Sequence, residues 1–150
     1  MTFSIVSSRK GTTFVSVYLV LRQKGDICLL LRQNTGYNDG KYGLISGHVE
    51  EGESATRAMV REAYEEGGLI LTEDQLRVVH VIHRRSEDRL GIDIFFEANS
   101  WSGNLENKEP HKCERLAFFS EDKFPQNTIA YIAETILAIQ RKEFYSEEGW

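Results

Sequence analysis

No apolar run in this 150-residue chain approaches the ~20 residues that a membrane-spanning helix needs. The N-terminal MTFSIVSSRKGTT lacks the long apolar stretch of a secretory signal. Both absences make the cytoplasm the expected setting, with no membrane partner. Cysteine is scarce: Cys28 and Cys113 are the only two, too few for a disulfide scaffold. Cys28 sits in an apolar run and is expected as a buried free thiol. Nothing around Cys113 marks it as a nucleophile. No basic block occurs, and the net charge is −5. Long nucleic acid is therefore not an expected partner, whereas a small nucleotide held through a cation is compatible. No linker, repeat or low-complexity tract divides the chain, and its length fits one domain spanning residues 1–150.

The patterning that is present alternates strand and helix signals. Phe14 to Leu21 is rich in β-branched and aromatic residues and predicts a strand. Lys24-Gly25-Asp26 reads as a turn, and Ile27 to Arg32 as the return strand. Residues 34–41 carry loop chemistry, over a length that can reach across a site. Tyr42 to Ser46 predicts a short strand. A helix follows from Glu53 or Ser54 to the paired glycines Gly67-Gly68. Leu76 to Arg84 and Leu90 to Ala98 predict two strands joined by a turn at Ser86-Glu87-Asp88. Another short strand is expected within 112–119, and a helix with one apolar face over Thr128 to Gln140. This order predicts an α/β fold with a mixed sheet between helices.

The first helix carries an unusual density of acid. Glu62, Glu65 and Glu66 stand at i, i+3 and i+4, so at about 100° per residue their side chains share one narrow arc. Acidic residues on a helix ordinarily form a solvated face. Three packed this closely repel one another, and a cation offsets that repulsion. Hard oxygen ligands at this density suit Mg²⁺ or Mn²⁺, and Mg²⁺ points to substrates that carry phosphate.

Those residues belong to a longer pattern, GHVEEGESATRAMVREAYEEGGL, from Gly47 to Leu69. Gly47 is followed after five residues by Glu53, and after seven more by Arg61-Glu62. Ala63 is the next apolar position, Glu65-Glu66 the acidic pair, Gly68 the last glycine and Leu69 the closing apolar residue. The stretch resembles the Nudix box with every fixed position filled. The resemblance implies a Nudix-type α/β/α sandwich. It also implies Mg²⁺-dependent hydrolysis, with Mn²⁺ as substitute, of a nucleoside diphosphate linked to another group. Glu62 and Glu66 would be the main metal ligands, with Glu65 beside them. One carboxylate would accept a proton from the attacking water. Arg61 would orient the glutamates, and Glu53 would pair with Arg61.

Further likenesses lie outside the box. The family usually has Leu-Pro-Gly-Gly where this chain reads Leu44-Ile45-Ser46-Gly47, and the position of Ser46 often gives its carbonyl to the metal. Glu109, in the run Glu109-Pro110-His111-Lys112-Cys113, matches a glutamate that in relatives reaches the metal or acts as base. Arg32 matches a phosphate-contacting position. His48, beside the box glycine, is a candidate to face phosphate. Asn127, with Thr128, follows the last strand, where similar proteins contact the base. His80 and His83 are three apart, which on a strand puts them on opposite faces and disfavours a shared zinc site. Phe95, Phe96, Tyr18, Trp101, Phe118 and Phe119 are expected mainly in the core, with one or two as candidates to stack on a base.

The run around Glu109 resembles the mutator-type triphosphatases. The expected reaction is hydrolysis of a nucleoside triphosphate, oxidised and non-standard ones included, to the monophosphate and pyrophosphate, by a monomer or homodimer. The alternative is an ADP-ribose or nucleotide-sugar diphosphatase. A catalytically silent nucleotide-binding module is a third reading, disfavoured by the intact box.

Overall fold

The computed structural model describes residues 13–87 and 89–150. Asp88, expected in the turn after Glu87, lies outside the described residues, as does the segment 1–12. Among the described residues eight strands form one mixed sheet in the order β3-β2-β1-β6-β5-β8, with β4 added to β1 and β7 to β2. The strands are β1 (Thr13–Gln23), β2 (Asp26–Arg32), β3 (Tyr42–Gly43), β4 (Ile45–His48), β5 (Arg77–Arg85), β6 (Leu90–Ala98), β7 (Cys113–Ser120) and β8 (Tyr145–Glu148). Two helices, α1 (Ala55–Gly67) and α2 (Ala130–Gln140), pack against it.

Alternation along β1 explains the two-sided core. Val17, Leu19 and Leu21 join Ala58, Met59 and Ala63 of α1 in one buried cluster. Tyr18 and Val20 join Ile132 and Ile136 of α2 in the other. Successive strand side chains point to opposite faces, so an almost wholly apolar β1 is what a sheet covered on both sides requires. Phe95 and Phe96 divide the same way and are buried. Trp101, Phe118 and Phe119 pack as partly buried neighbours of these clusters.

The single strand expected over Tyr42 to Ser46 is two. β3 pairs with β2 through Leu30↔Gly43 and Leu31↔Tyr42, whereas β4 pairs with β1 through Ser16↔His48 to Leu19↔Ile45. β1 and β2 pair only near their hairpin turn, at Arg22↔Ile27 and Gln23↔Asp26. They diverge beyond it, and the chain crosses from one to the other at Leu44. The fork between them positions the site.

Two other boundaries differ from expectation. The last helix begins at Ala130 rather than Thr128, because Thr128 forms a bridge to Tyr42 and the Ile129 N–H donates to the Tyr42 carbonyl at 2.9 Å. β8 has no counterpart in the sequence reading. Tyr-Ser-Glu-Glu is a weak strand signal by itself, and it forms because it adds in parallel to the edge of β5, Val81↔Tyr145 to Arg84↔Glu148. His80, fully buried, helps fix it there, its ring nitrogens 2.8 Å from the Glu143 carbonyl and 2.7 Å from Ser146 Oγ. Cys28 and Cys113 are both buried and free.

Candidate functional site

The acidic helix is held by its two ends. At its start Ser54 Oγ accepts from the Arg57 N–H at 3.2 Å. At its end Gly68 has φ of +67°, and the N–H groups of Gly68 and Leu69 turn back to the carbonyls of Tyr64 and Ala63 at 3.0 and 3.2 Å. Only glycine takes that left-handed cap cheaply. Between these stops Ala58, Met59, Ala63 and Gly67 are buried against the sheet. Glu62 and Glu66 lie half-buried beside β4, and Glu65 faces out.

Gly47 matters for space rather than for conformation. A Cβ there would stand 2.1 Å from Glu62 Oε1. The Glu62 carboxylate therefore lies directly on the β4 backbone. One residue earlier the Ser46 N–H donates to Glu66 Oε2 at 3.1 Å. Ser46 sits in strand β4 and is not among the residues with positive φ, so a serine serves where relatives have glycine.

Arg61 ties the cluster together. Its Nε and Nη2 reach Glu53 at 3.1 and 2.6 Å, its Nη1 reaches Glu62 Oε1 at 2.8 Å and Glu65 at 3.3 Å, and its Nη2 also donates to the His48 carbonyl at 3.1 Å. This fork places one cation among three carboxylates. Arg61 holds Glu53 below the usual carboxylate range, chiefly through those hydrogen bonds. Glu62 is nonetheless raised, first by burial. Glu66 is pushed up to about 8, again first by burial, with the Ser46 N–H opposing and the charges of Glu62 and Glu109 adding to the rise.

Glu62, Glu65, Glu66 and Glu109 line one cavity of about 930 Å³, together with Ser46, Gly47, His48 and Arg32. Glu109 comes from the loop before β7. Asn107 braces that loop, its Nδ2 on the Cys113 carbonyl at 2.6 Å and its Oδ1 accepting from the Glu109 N–H at 3.2 Å. Arg32 donates to the Tyr37 carbonyl at 2.8 Å and to Thr35 Oγ1 at 3.2 Å, so it shapes the loop at 34–37, which lines the same cavity. The His48 ring stacks on Phe14 with centroids 4.8 Å apart. Asn127 stands outside the lining residues, its amide on the Gly40 carbonyl at 2.9 Å. Arg61 and Glu53 also stand outside, behind the carboxylates they hold.

Asp93, Arg84, Tyr131 and Gly91, which are not among the residues singled out from the sequence, also line the cavity. One signal was available. Asp93 is an acid set between the apolar Ile92 and Ile94.

The donor set fits a hard divalent cation. Burial and mutual repulsion raise Glu62 and Glu66, and a cation reverses both effects. Among the described residues no three His, Cys, Asp or Glu side chains stand together so as to hold a metal ion by themselves. Mg²⁺ usually keeps several waters and takes one or two carboxylates together with substrate phosphates, so an open carboxylate wall suits it.

The NUDIX domain family model matches residues 12–144. A MutT Nudix hydrolase from Burkholderia pseudomallei is 24% identical, with a TM-score of 0.77 over 84% of this chain and 97% of that one. A MutT protein from Methanosarcina mazei Go1 is 23% identical, with a TM-score of 0.78 over 90% and 98%. An ADP-ribose pyrophosphatase from Streptococcus suis 89-1591 is 20% identical, with a TM-score of 0.62 over 91% and 98%. Among curated proteins none matches the sequence. The structural neighbours share the fold, and the family match extends over most of the chain: it belongs to the Nudix family and is a Nudix hydrolase of the α/β/α type.

Proposed function

We propose that the protein hydrolyses a nucleoside triphosphate, oxidised or non-standard ones included, to the monophosphate and pyrophosphate in the presence of Mg²⁺. The observation that carries this reading is the meeting of Glu62, Glu65, Glu66 and Glu109 on the wall of one nucleotide-sized cavity that Arg32 also lines. The Glu109 loop, with its likeness to the mutator-type enzymes, favours a triphosphate. In this reading Glu62, Glu65, Glu66, Glu109 and the Ser46 carbonyl hold the metal. A divalent cation bound there supplies charge neutralisation on the phosphate oxygens and a more acidic water.

Arg61 keeps Glu62 and Glu65 in position, and Glu53 fixes Arg61. Arg32 and His48 face the phosphates. A carboxylate of the wall takes a proton from water as its oxygen attacks phosphorus. The anhydride P–O bond to the leaving phosphate breaks, and pyrophosphate departs with that electron pair. The acidic balance and the lack of a membrane-spanning helix among the described residues suit a cytoplasmic enzyme for small nucleotides.

The test is a screen of the purified protein with Mg²⁺ against nucleoside triphosphates, oxidised triphosphates, ADP-ribose and nucleotide sugars, with products resolved. Monophosphate plus pyrophosphate from a triphosphate is the expected result. Cleavage of ADP-ribose or a nucleotide sugar alone would assign the chain to the chemistry for which the Streptococcus suis neighbour is named. Binding without turnover would make it a silent module.

A further inference from the structure

The loop between β2 and β3 is built around one carboxylate. Its backbone turns left-handed at Asn34, Gly36, Asn38 and Gly40, with φ of +54°, +80°, +51° and +78°. Glycine and asparagine tolerate that conformation best. Asp39 fills the turn they make. Its carboxylate accepts from the Gly36 N–H at 2.8 Å, from the Thr35 N–H at 3.1 Å and from Thr35 Oγ1 at 2.5 Å. These hydrogen bonds, that of the Thr35 hydroxyl first, hold the Asp39 carboxyl below the usual carboxylate range.

The Thr35 hydroxyl joins this carboxylate to Arg32. Thr35 Oγ1 lies 3.2 Å from Arg32 Nη2 and 3.2 Å from the Tyr37 backbone nitrogen, both donors. A hydroxyl has two acceptor lone pairs and one hydrogen. With both pairs taken, the hydrogen must go to an acceptor. Asp39 Oδ1 stands nearer than the Tyr37 carbonyl, at 2.5 against 2.9 Å, and that carbonyl already accepts from Arg32 Nε at 2.8 Å. Asp39 therefore turns the hydroxyl so that its lone pairs face Arg32, and a charged acceptor behind it strengthens that bond.

The Nε and Nη2 edge of the guanidinium is thus taken up by the loop. Nη1 has no hydrogen-bond partner among the described residues, and Arg32 lines the cavity close enough to Glu66 for its charge to lower that carboxyl. The base of the loop is anchored independently of Asp39. Gln33 Nε2 donates to the Pro110 carbonyl at 2.7 Å and Asn34 Nδ2 to the His111 carbonyl at 3.0 Å, in the segment that begins with Glu109.

We propose that Asp39, acting through Thr35 Oγ1, is the positioning residue that presents Arg32 Nη1 to the phosphate chain of the substrate. The inference rests on the phosphate role given to Arg32 above and adds the side chains that set it. An arginine gives up much rotamer freedom when a ligand fixes it, and the loop bonds remove part of that cost before the ligand arrives. A purely structural Asp39 would close the loop whether or not Arg32 were there.

The test is calorimetric binding of inorganic pyrophosphate with Mg²⁺, a probe that carries neither base nor sugar and needs no turnover. The proteins are wild type, Arg32→Ala, Asp39→Asn, Thr35→Val and Thr35→Ser, with Asp39→Asn and Thr35→Val repeated in the Arg32→Ala background. Asparagine sets an NH₂ group against the donors of Thr35 and Gly36. Valine keeps the shape of threonine and removes its hydroxyl. In wild-type background both should weaken pyrophosphate by about threefold to tenfold, on the scale of one lost hydrogen bond to a charged group. Thr35→Ser, which keeps the hydroxyl, should recover most of that loss. In the Arg32→Ala background neither substitution should weaken binding further, because the group they position is gone. Thermal melts check that each protein is folded. The proposal is overturned if the losses add to that of Arg32→Ala, or if Asp39→Asn and Thr35→Val bind like wild type. It is equally overturned if wild type binds no pyrophosphate or Arg32→Ala binds it as tightly. Failure of the triphosphatase reading would appear separately, as the wrong products in the substrate screen.

Discussion

Two arginines in this molecule hold carboxylates in opposite ways. Arg61 is shared among Glu53, Glu62 and Glu65 and also takes the His48 carbonyl, at the outer side of the acidic wall. Arg84 serves Asp93 alone, and that pair is nearly buried, with side-chain exposures of 16% and 1%. The shared cation leaves carboxylate charge over. Glu66 lies beyond the bonds Arg61 makes, raised by burial and its acidic neighbours. The dedicated cation leaves one oxygen over. An excess of charge is a demand for a cation, whereas a spare acceptor beside a matched charge is a demand for a neutral donor. The same pair of residue types thus marks an acidic wall that the proposed function assigns to metal and phosphate, and a buried ion pair with one oxygen left over among the described residues.

The largest break in this comparison is removal of the surplus charge. Glu62→Gln and Glu66→Gln should each lower turnover with Mg²⁺ by about 10²-fold or more, the scale of lost acid–base and metal assistance. Circular dichroism should show the fold intact. Near-normal turnover at saturating Mg²⁺ would remove that residue from the metal site.

A smaller break moves a carboxylate without changing its charge. Gly47→Ala places a methyl group where Glu62 Oε1 lies, and the flexible end of that side chain must shift. Turnover should fall by about tenfold, less than for the loss of the carboxylate, since misplacement of order 1 Å is itself costly. Unchanged kinetics would show that the contact between Glu62 and the β4 backbone has no catalytic role.

Much of this division could be read from the chain before its structure. The spacing of Glu62, Glu65 and Glu66 follows from helix periodicity, and Ser54 and Gly68 fix where that helix begins and ends. The strands over Phe14 to Leu21 and Leu90 to Ala98 are equally plain, because alternation and β-branched content are local signals. Asp93 and Arg84 were hidden for the opposite reason. Their pairing depends on strand register between β5 and β6, which is not a local pattern. β8 was missed because its strand character comes from the edge it joins. Asn127 was placed near a base by position after the last strand, whereas its amide is spent on Gly40.

The smallest expected effect is on stability. The Glu66 carboxyl holds its proton in the folded chain up to about 8, whereas unfolded it releases the proton in the ordinary carboxylate range. Between those values the folded state binds more protons, so its stability falls as pH rises. The Tm of metal-free protein should therefore drop between about pH 5 and pH 8, and Glu66→Gln should flatten that drop. A slope unchanged in the variant would assign it to other groups.

The most direct measurement is titration of Mn²⁺ into the metal-free protein, followed by electron paramagnetic resonance, for wild type, Glu62→Gln and Glu66→Gln. The account predicts binding in wild type that weakens by about tenfold or more in each variant, since each removes a charged oxygen donor. Equal Mn²⁺ affinity in all three proteins would contradict it, and would place the cation elsewhere than on the wall formed by α1.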